Sequence, residues 1–241
     1  MRMAPRSMTL ATACVLAVWA QDAKLPTVES IVENYVKAVG ARTAKRVTTR
    51  YGKGTFDMPA AGMKGVVELY SKSPNKMFMK VDVPGFGVVL DGYDGTTAWT
   101  KNPAQGLREK AGVELALAKR QAEFDKDLKL KELYPKMVLK GAEKIGDRDV
   151  YVVEATPTEG APEIWYFDKA TNLMARMTME MEGPMGKMTI VSDLEDYRDV
   201  DGYKMPATIK QQLGPMTMTL RLDEIKGGVP VEDSMFKKPA E

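Results

Sequence analysis

The sequence predicts an α+β fold: a single large, strongly curved antiparallel β-sheet, a half-barrel of roughly 10–12 strands, wrapped over an N-terminal helix and a central helical insertion. Short segments with apolar residues at every second position fill most of the chain, separated by Gly, Pro, Asn and Asp turns. Two stretches, residues 27–40 and 111–134, break that rhythm with apolar residues at helical spacing. The third observation is the strand count, because a twisted open sheet of more than about 10 strands curls or closes.

Residues 1–20 precede the fold. Arg2 and Arg6 form a positive opening, Met8 to Ala20 is an uncharged run, and Val18-Trp19-Ala20 suits cleavage before Gln21. This is the three-part pattern of a secretory signal, and the run falls short of the roughly 20 residues that span a bilayer. The expected organisation is a cleaved signal peptide over 1–20 and one domain over 21–241. Lipidation at Cys14 is a rarer reading, since Val15 to Ala20 would then remain as an apolar tail.

The first helix opens at Pro26-Thr27. Val28, Ile31, Val32, Tyr35, Val36 and Val39 make one apolar stripe, with Thr27 as N-cap and Gly40 just past the C-terminus. Strands follow near 47–57, 63–72, 76–83, 86–91 and 95–100, with Ser73-Pro74-Asn75, Pro84-Gly85, Asp91-Gly92 and Asp94-Gly95 as turns. Asn102-Pro103 and Gly106 read as a loop. Helices are expected near 111–125 and 127–134, the second ending at Pro135. Strands resume near 137–145, 149–156, 163–168, 173–182, 186–197, 203–212 and 216–226.

Composition excludes much chemistry. The chain has 35 Lys and Arg against 33 Asp and Glu, and loss of Arg2 and Arg6 with the signal brings the two to parity. Interspersed, balanced charge gives no electrostatic basis for holding nucleic acid or an anionic membrane surface. There is no histidine, and the one cysteine is Cys14. Nucleophile–histidine systems and Cys/His zinc sites are therefore impossible in 21–241. The expectation is a protein that is not an enzyme and uses neither metal nor cofactor.

Methionine stands out, with 18 residues against 7% aromatics. Met77 and Met79, then Met177, Met179 and Met181, then Met188, then Met216 and Met218 with Leu220, alternate with mostly polar neighbours on four segments. In a strand, residues two apart share a face. Such a face can be ordinary core. Yet β-branched and aromatic residues are the usual strand formers, and methionine is soft enough to mould around varied apolar partners. Met77, Met79, Met177, Met179, Met188, Met216, Met218 and Leu220 are thus the candidate lining of an apolar cavity for an acyl chain. Thioethers also suit Cu(I), but strand alternation already explains the Met-x-Met spacing. Asp193, Glu195, Asp196, Asp199 and Asp201 invite calcium, and Asp91 with Asp94 a carboxylate pair; turn chemistry accounts for both groups.

Several segments together resemble the LolA-like superfamily, especially the larger secreted outer-membrane lipoprotein-sorting proteins. They are the helix ending Lys37-Ala38-Val39-Gly40, the Asp94-Gly95-Thr96-Thr97-Ala98-Trp99 segment with Asn102-Pro103, and the hairpin from Tyr166 to Met174. The turn from Asp196 to Pro206 and the ending from Val229 to Pro239 complete the set. The resemblance implies a half-barrel over helices, an apolar cavity for lipid or lipoprotein acyl chains, a periplasmic location, and a membrane-protein donor and acceptor. The expected molecule is a monomeric periplasmic carrier; the competing reading is a ligand-free structural or interaction module of the cell envelope.

Overall fold

The computed structural model describes residues 25–183 and 186–240. Residues 1–20, the expected signal peptide, and Cys14 within them lie outside the described residues.

Among the described residues, thirteen strands form one antiparallel sheet. They are β1 (Thr49–Met58), β2 (Met63–Lys72), β3 (Lys76–Val83), β4 (Gly87–Tyr93), β5 (Ala98–Asn102), β6 (Gly106–Glu109), β7 (Lys136–Ile145), β8 (Arg148–Thr156), β9 (Glu163–Asp168), β10 (Met174–Gly183), β11 (Gly186–Val200), β12 (Tyr203–Leu213) and β13 (Met216–Gly227). The helices are α1 (Val28–Ala38), α2 (Gly112–Ala122) and the short α3 (Leu130–Leu133). One strand more than the sequence pattern indicates is β6: the Asn102–Gly106 segment is a hairpin turn, and Leu107 pairs with Lys101. Four residues with one half-buried apolar side chain carry too little periodicity to be read as a strand.

The sheet order is β6-β5-β4-β3-β2-β1-β13-β12-β11-β10-β9-β8-β7. Two meanders therefore grow outward from the β1–β13 pair, and the sheet stays open with β6 and β7 as its edges. Residues 110–135 must connect those two edges. Flat, twelve inter-strand gaps of about 4.8 Å would set the edges ~58 Å apart, close to the full stretch of a connection that spends 11 residues on a helix advancing ~16 Å. Curling brings the edges within reach and lays the helical connection across the concave side.

α1 forms as the stripe requires. Thr27 caps it by accepting from the Ser30 amide at 3.2 Å, and Ile31, Val32, Tyr35 and Val36 are buried. They pack on Val153, Ala155, Trp165, Phe167 and Met174 of β8–β10 in the largest core cluster. Gly40 follows at φ +75, and a Cβ there would lie 2.1 Å from the Gly202 carbonyl oxygen. The β11–β12 turn, Asp201-Gly202 at φ +55 and +88, thus docks directly on the helix end.

One turn expectation is overturned. Asp91-Gly92 lies inside β4, which continues to Tyr93. The reason is Trp99, 1% exposed, whose indole occupies the space a Gly92 side chain would need; a Cβ would meet Cε2 at 2.3 Å. Tyr51, Tyr70, Phe78 and Trp99 follow one another across the convex face with ring centroids 4.9, 6.2 and 6.1 Å apart. The C-terminal segment closes over this row. Phe236 is fully buried and its carbonyl accepts from Trp99 Nε1 at 2.9 Å, while Asp233 pairs with Lys72 and Lys76, each at 2.8 Å.

Candidate functional site: a trough under the bridging helices

Register decides which way the methionines turn, because opposed residues on antiparallel strands share a face. Trp165, Met177, Ser192, Gln211 and Met218 stand opposite one another on β9–β13. One row along, Glu163, Met179, Ile190, Leu213 and Met216 do the same. On the other meander Arg50, Ser71, Met77, Tyr93 and Ala98 form a row across β1–β5. The first set contains the Trp165 that packs under α1, and the last contains the Tyr93 and Ala98 that pack under α2 with Ala118 and Ala122. The methionine rows therefore all belong to the helix-bearing, concave face.

Between this face and the 110–135 bridge lies a cavity of about 360 Å3. Its apolar walls include Leu130, Leu133, Trp165, Met174, Met177, Leu194, Met205 and Ile209. A second hollow of about 170 Å3 is bordered by Gly52, Leu69, Met77, Leu222 and Ile225. The two share Arg50, Ser71 and Met205 in their walls, so they form adjoining compartments of one trough. Gly52 leaves this wall without a side chain: a Cβ there would already press on Leu222 Cδ1 at 3.1 Å. The larger compartment falls in the size range of small-molecule sites, about 300–1,000 Å3.

Two polar clusters brace the trough. Asp127, 5% exposed, accepts from the Tyr35 hydroxyl at 3.2 Å and from the Tyr203 hydroxyl, tying the bridge to α1 and β12. Burial, then the Asp127 carboxylate, holds both phenols well above their ordinary value. Arg50 of β1 donates to the Phe124 carbonyl at 3.0 Å and stacks over the rings of Phe124 and Tyr203 at 4.0 and 4.5 Å. In the second cluster Arg120 of α2 reaches across to β9. Its Nη2 donates to Glu163 at 3.2 Å, and its Nη1 donates to the Glu159 carbonyl at 2.5 Å. The other Glu163 oxygen accepts from Tyr134 at 2.9 Å and Trp165 Nε1 at 3.1 Å.

Of the eight residues singled out from the sequence, Met177 borders the larger compartment and Met77 the smaller. Met79, Met218 and Leu220 pack with Phe56, Val67, Val81, Val83 and Leu222 in a cluster made wholly of sheet residues. Met179 stands opposite Ile190 and Met188 opposite Met181, while Met216 is 42% exposed at the β12–β13 turn. Sequence reasoning passed over Met174, Met205 and the polar wall of Arg50, Arg120 and Glu163. Met174 follows a turn and Met205 precedes Pro206, so neither sits in a Met-x-Met repeat. The polar residues are brought together only by the bridge crossing the sheet.

The acidic stretch is absorbed by structure. Asp193 pairs with Arg176 at 2.6 Å, Glu195 with Lys210 at 2.7 Å, Asp196 accepts from Thr208 and Asp199 from the Gly202 amide. Asp91 pairs with Lys110 at 2.5 Å, and Asp94 accepts from the amides of Thr96 and Thr97. Among the described residues no group of three or more carboxylates is placed to hold a metal ion.

The sequence matches no family profile and no curated relative. Solved structures do match. A DUF1329 family protein from Desulfovibrio piger superposes with a TM-score of 0.62 at 15% identity, over 88% of this chain and 98% of the other. An outer-membrane lipoprotein-sorting protein domain from Vibrio parahaemolyticus gives 0.59 at 14% identity, over 87% and 97%. A LolA superfamily protein from Nitrosomonas europaea gives 0.55 at 15% identity, over 89% and 99%. At this level of identity the likeness is one of architecture, and it covers nearly the whole of each protein: the chain shares its fold with these three solved structures.

Proposed function

We propose that the protein is a non-enzymatic periplasmic carrier, exported by residues 1–20, that holds the acyl chains of a lipid or lipoprotein in its trough. It receives them from one envelope membrane protein, passes them to another, and works as a monomer. The observation that carries this reading is the apolar compartment of about 360 Å3 beneath the helical bridge. Acyl burial there contributes about 25 cal/mol per Å² of apolar surface, and methionine walls follow the chain without demanding one shape. The fold shared with an outer-membrane lipoprotein-sorting domain supports the assignment.

The test is direct. The protein is purified gently from a bacterial periplasm and its bound lipids are identified by mass spectrometry; the emptied protein is then titrated with N-phenylnaphthylamine. Saturable probe binding, displaced by acyl lipids, is expected. Ser71 stands where the two compartments meet, so Ser71→Phe should weaken binding about tenfold or more while the fold persists. An empty protein with no affinity for any acyl probe would leave the ligand-free envelope module as the better reading. The sheet-only cluster around Met79, Met218 and Leu220 is the feature that reading explains best.

A further inference from the structure

The carrier reading leaves one group in the trough unexplained. Arg120 borders the larger compartment with its side chain 11% exposed, and its Nε is the one buried side-chain nitrogen or oxygen among the described residues that lacks a hydrogen-bond partner. Every neighbour in the cluster is satisfied: Glu163 accepts three hydrogen bonds, from Arg120, Tyr134 and Trp165. A buried N–H without an acceptor is costly, and native proteins rarely retain one unless something else fills the role.

Resting on the carrier reading, we propose that Arg120 Nε is the anchor for the carbonyl oxygen of an acyl ester or amide, fixing the head of the ligand while its chain runs along Trp165, Leu133 and Met177. Two features select an uncharged acyl carbonyl over a free carboxylate or a phosphate. Arginine recognises such anions with two parallel N–H groups, but here Nη2 is held by Glu163 and Nη1 by the Glu159 carbonyl. Nε is the one guanidinium nitrogen without a partner, and its single N–H fits one oxygen. The guanidinium charge is also already matched by a carboxylate whose side chain is 3% exposed. A second anion beside Glu163 would meet like charge in a poorly solvated site.

The emptied protein is loaded with N-phenylnaphthylamine, and the probe is displaced with four ligands of equal chain length: monopalmitoylglycerol, N-palmitoylethanolamine, hexadecyl glyceryl ether and palmitate. The ester and the ether differ by the carbonyl oxygen, and the ester and amide arms separate the two sources of that group. The wild type should bind the ester or the amide about tenfold more tightly than the ether, and palmitate more weakly than either. Arg120→Lys keeps a cation beside Glu163 but lacks Nε, and should bring the ester down to the ether while leaving the ether unchanged. Glu163→Gln should raise palmitate relative to the ester. Equal wild-type affinity for ester, amide and ether overturns the anchor while the carrier reading stands, and so does a wild type that prefers palmitate. Failure of all four to bind overturns the carrier reading and the anchor with it. The wild-type comparison decides even where a variant fails to fold.

Discussion

The two halves of one concave face are filled in opposite ways. Under α1, the strands β8–β10 present Val153, Ala155, Trp165 and Phe167, each no more than 2% exposed, to a helix stripe of matching apolar width. Across β1–β3 and β11–β13, the same face presents Gly52, Ser71, Ser192, Gln211, Met77 and Met205 to open space beneath the bridge. A sheet face becomes core where large rigid side chains meet a dedicated helix. It becomes a trough where small, polar and flexible side chains meet a bridge braced on the sheet by Arg120, Phe124 and Asp127. Length and register are common to both halves; side-chain volume and cover differ.

The comparison breaks most readily at Phe167. Phe167→Ala should cost about 3–5 kcal/mol in denaturant unfolding, the usual range for truncating an aromatic in a closed core. Loss of less than about 1 kcal/mol would show that the α1 side is no better packed than the trough. Next is Asp127, which ties the bridge to both sides. Asp127→Asn should cost about 1–3 kcal/mol by leaving two buried phenols poorly matched. The same cluster predicts alkaline sensitivity. The Tyr35 and Tyr203 phenols sit well above their ordinary value of 10, so their contribution is complete below pH 10. It declines as pH rises from there through the folded-state values, and the denaturation midpoint should fall across that range.

Smaller effects sharpen the contrast. Met205→Ala removes a half-buried side chain that already faces a hollow, so the cost should stay below about 1 kcal/mol while probe binding weakens. A cost near that of Phe167→Ala would mean that the wall is packed core. Least of all should be felt at Asp233, on the convex side. Lys72 and Lys76 hold its pKa near 2, against an ordinary 3.8. The tether is therefore intact above pH 3.8 and lost as pH falls through about 2. Hydrogen exchange should then quicken in residues 229–240 with little change in the trough.

Much of this was legible in the residues. The α1 stripe, its Thr27 cap and Gly40 follow from local spacing, and so do twelve of the strands, from their alternation and most of their turns. β6 was hidden because its four residues carry almost no pattern, and Gly92 misled because a glycine that makes room for an indole looks like a turn glycine. The trough was half legible. Alternation put the methionines on one face, but nothing local says which stretch of that face a helix will fill.

Export-like composition, the lack of histidine, strand alternation and the helix stripe are properties of neighbouring residues, and the sequence alone determines them. Tertiary structure decided what those faces enclose. The edge-to-edge path of residues 110–135 places Arg120 against Glu163 and Arg50 against Phe124, pairs 43 and 74 residues apart. Such meetings depend on how far the sheet curls, and curvature is a sum of small twists over all thirteen strands that no short segment encodes.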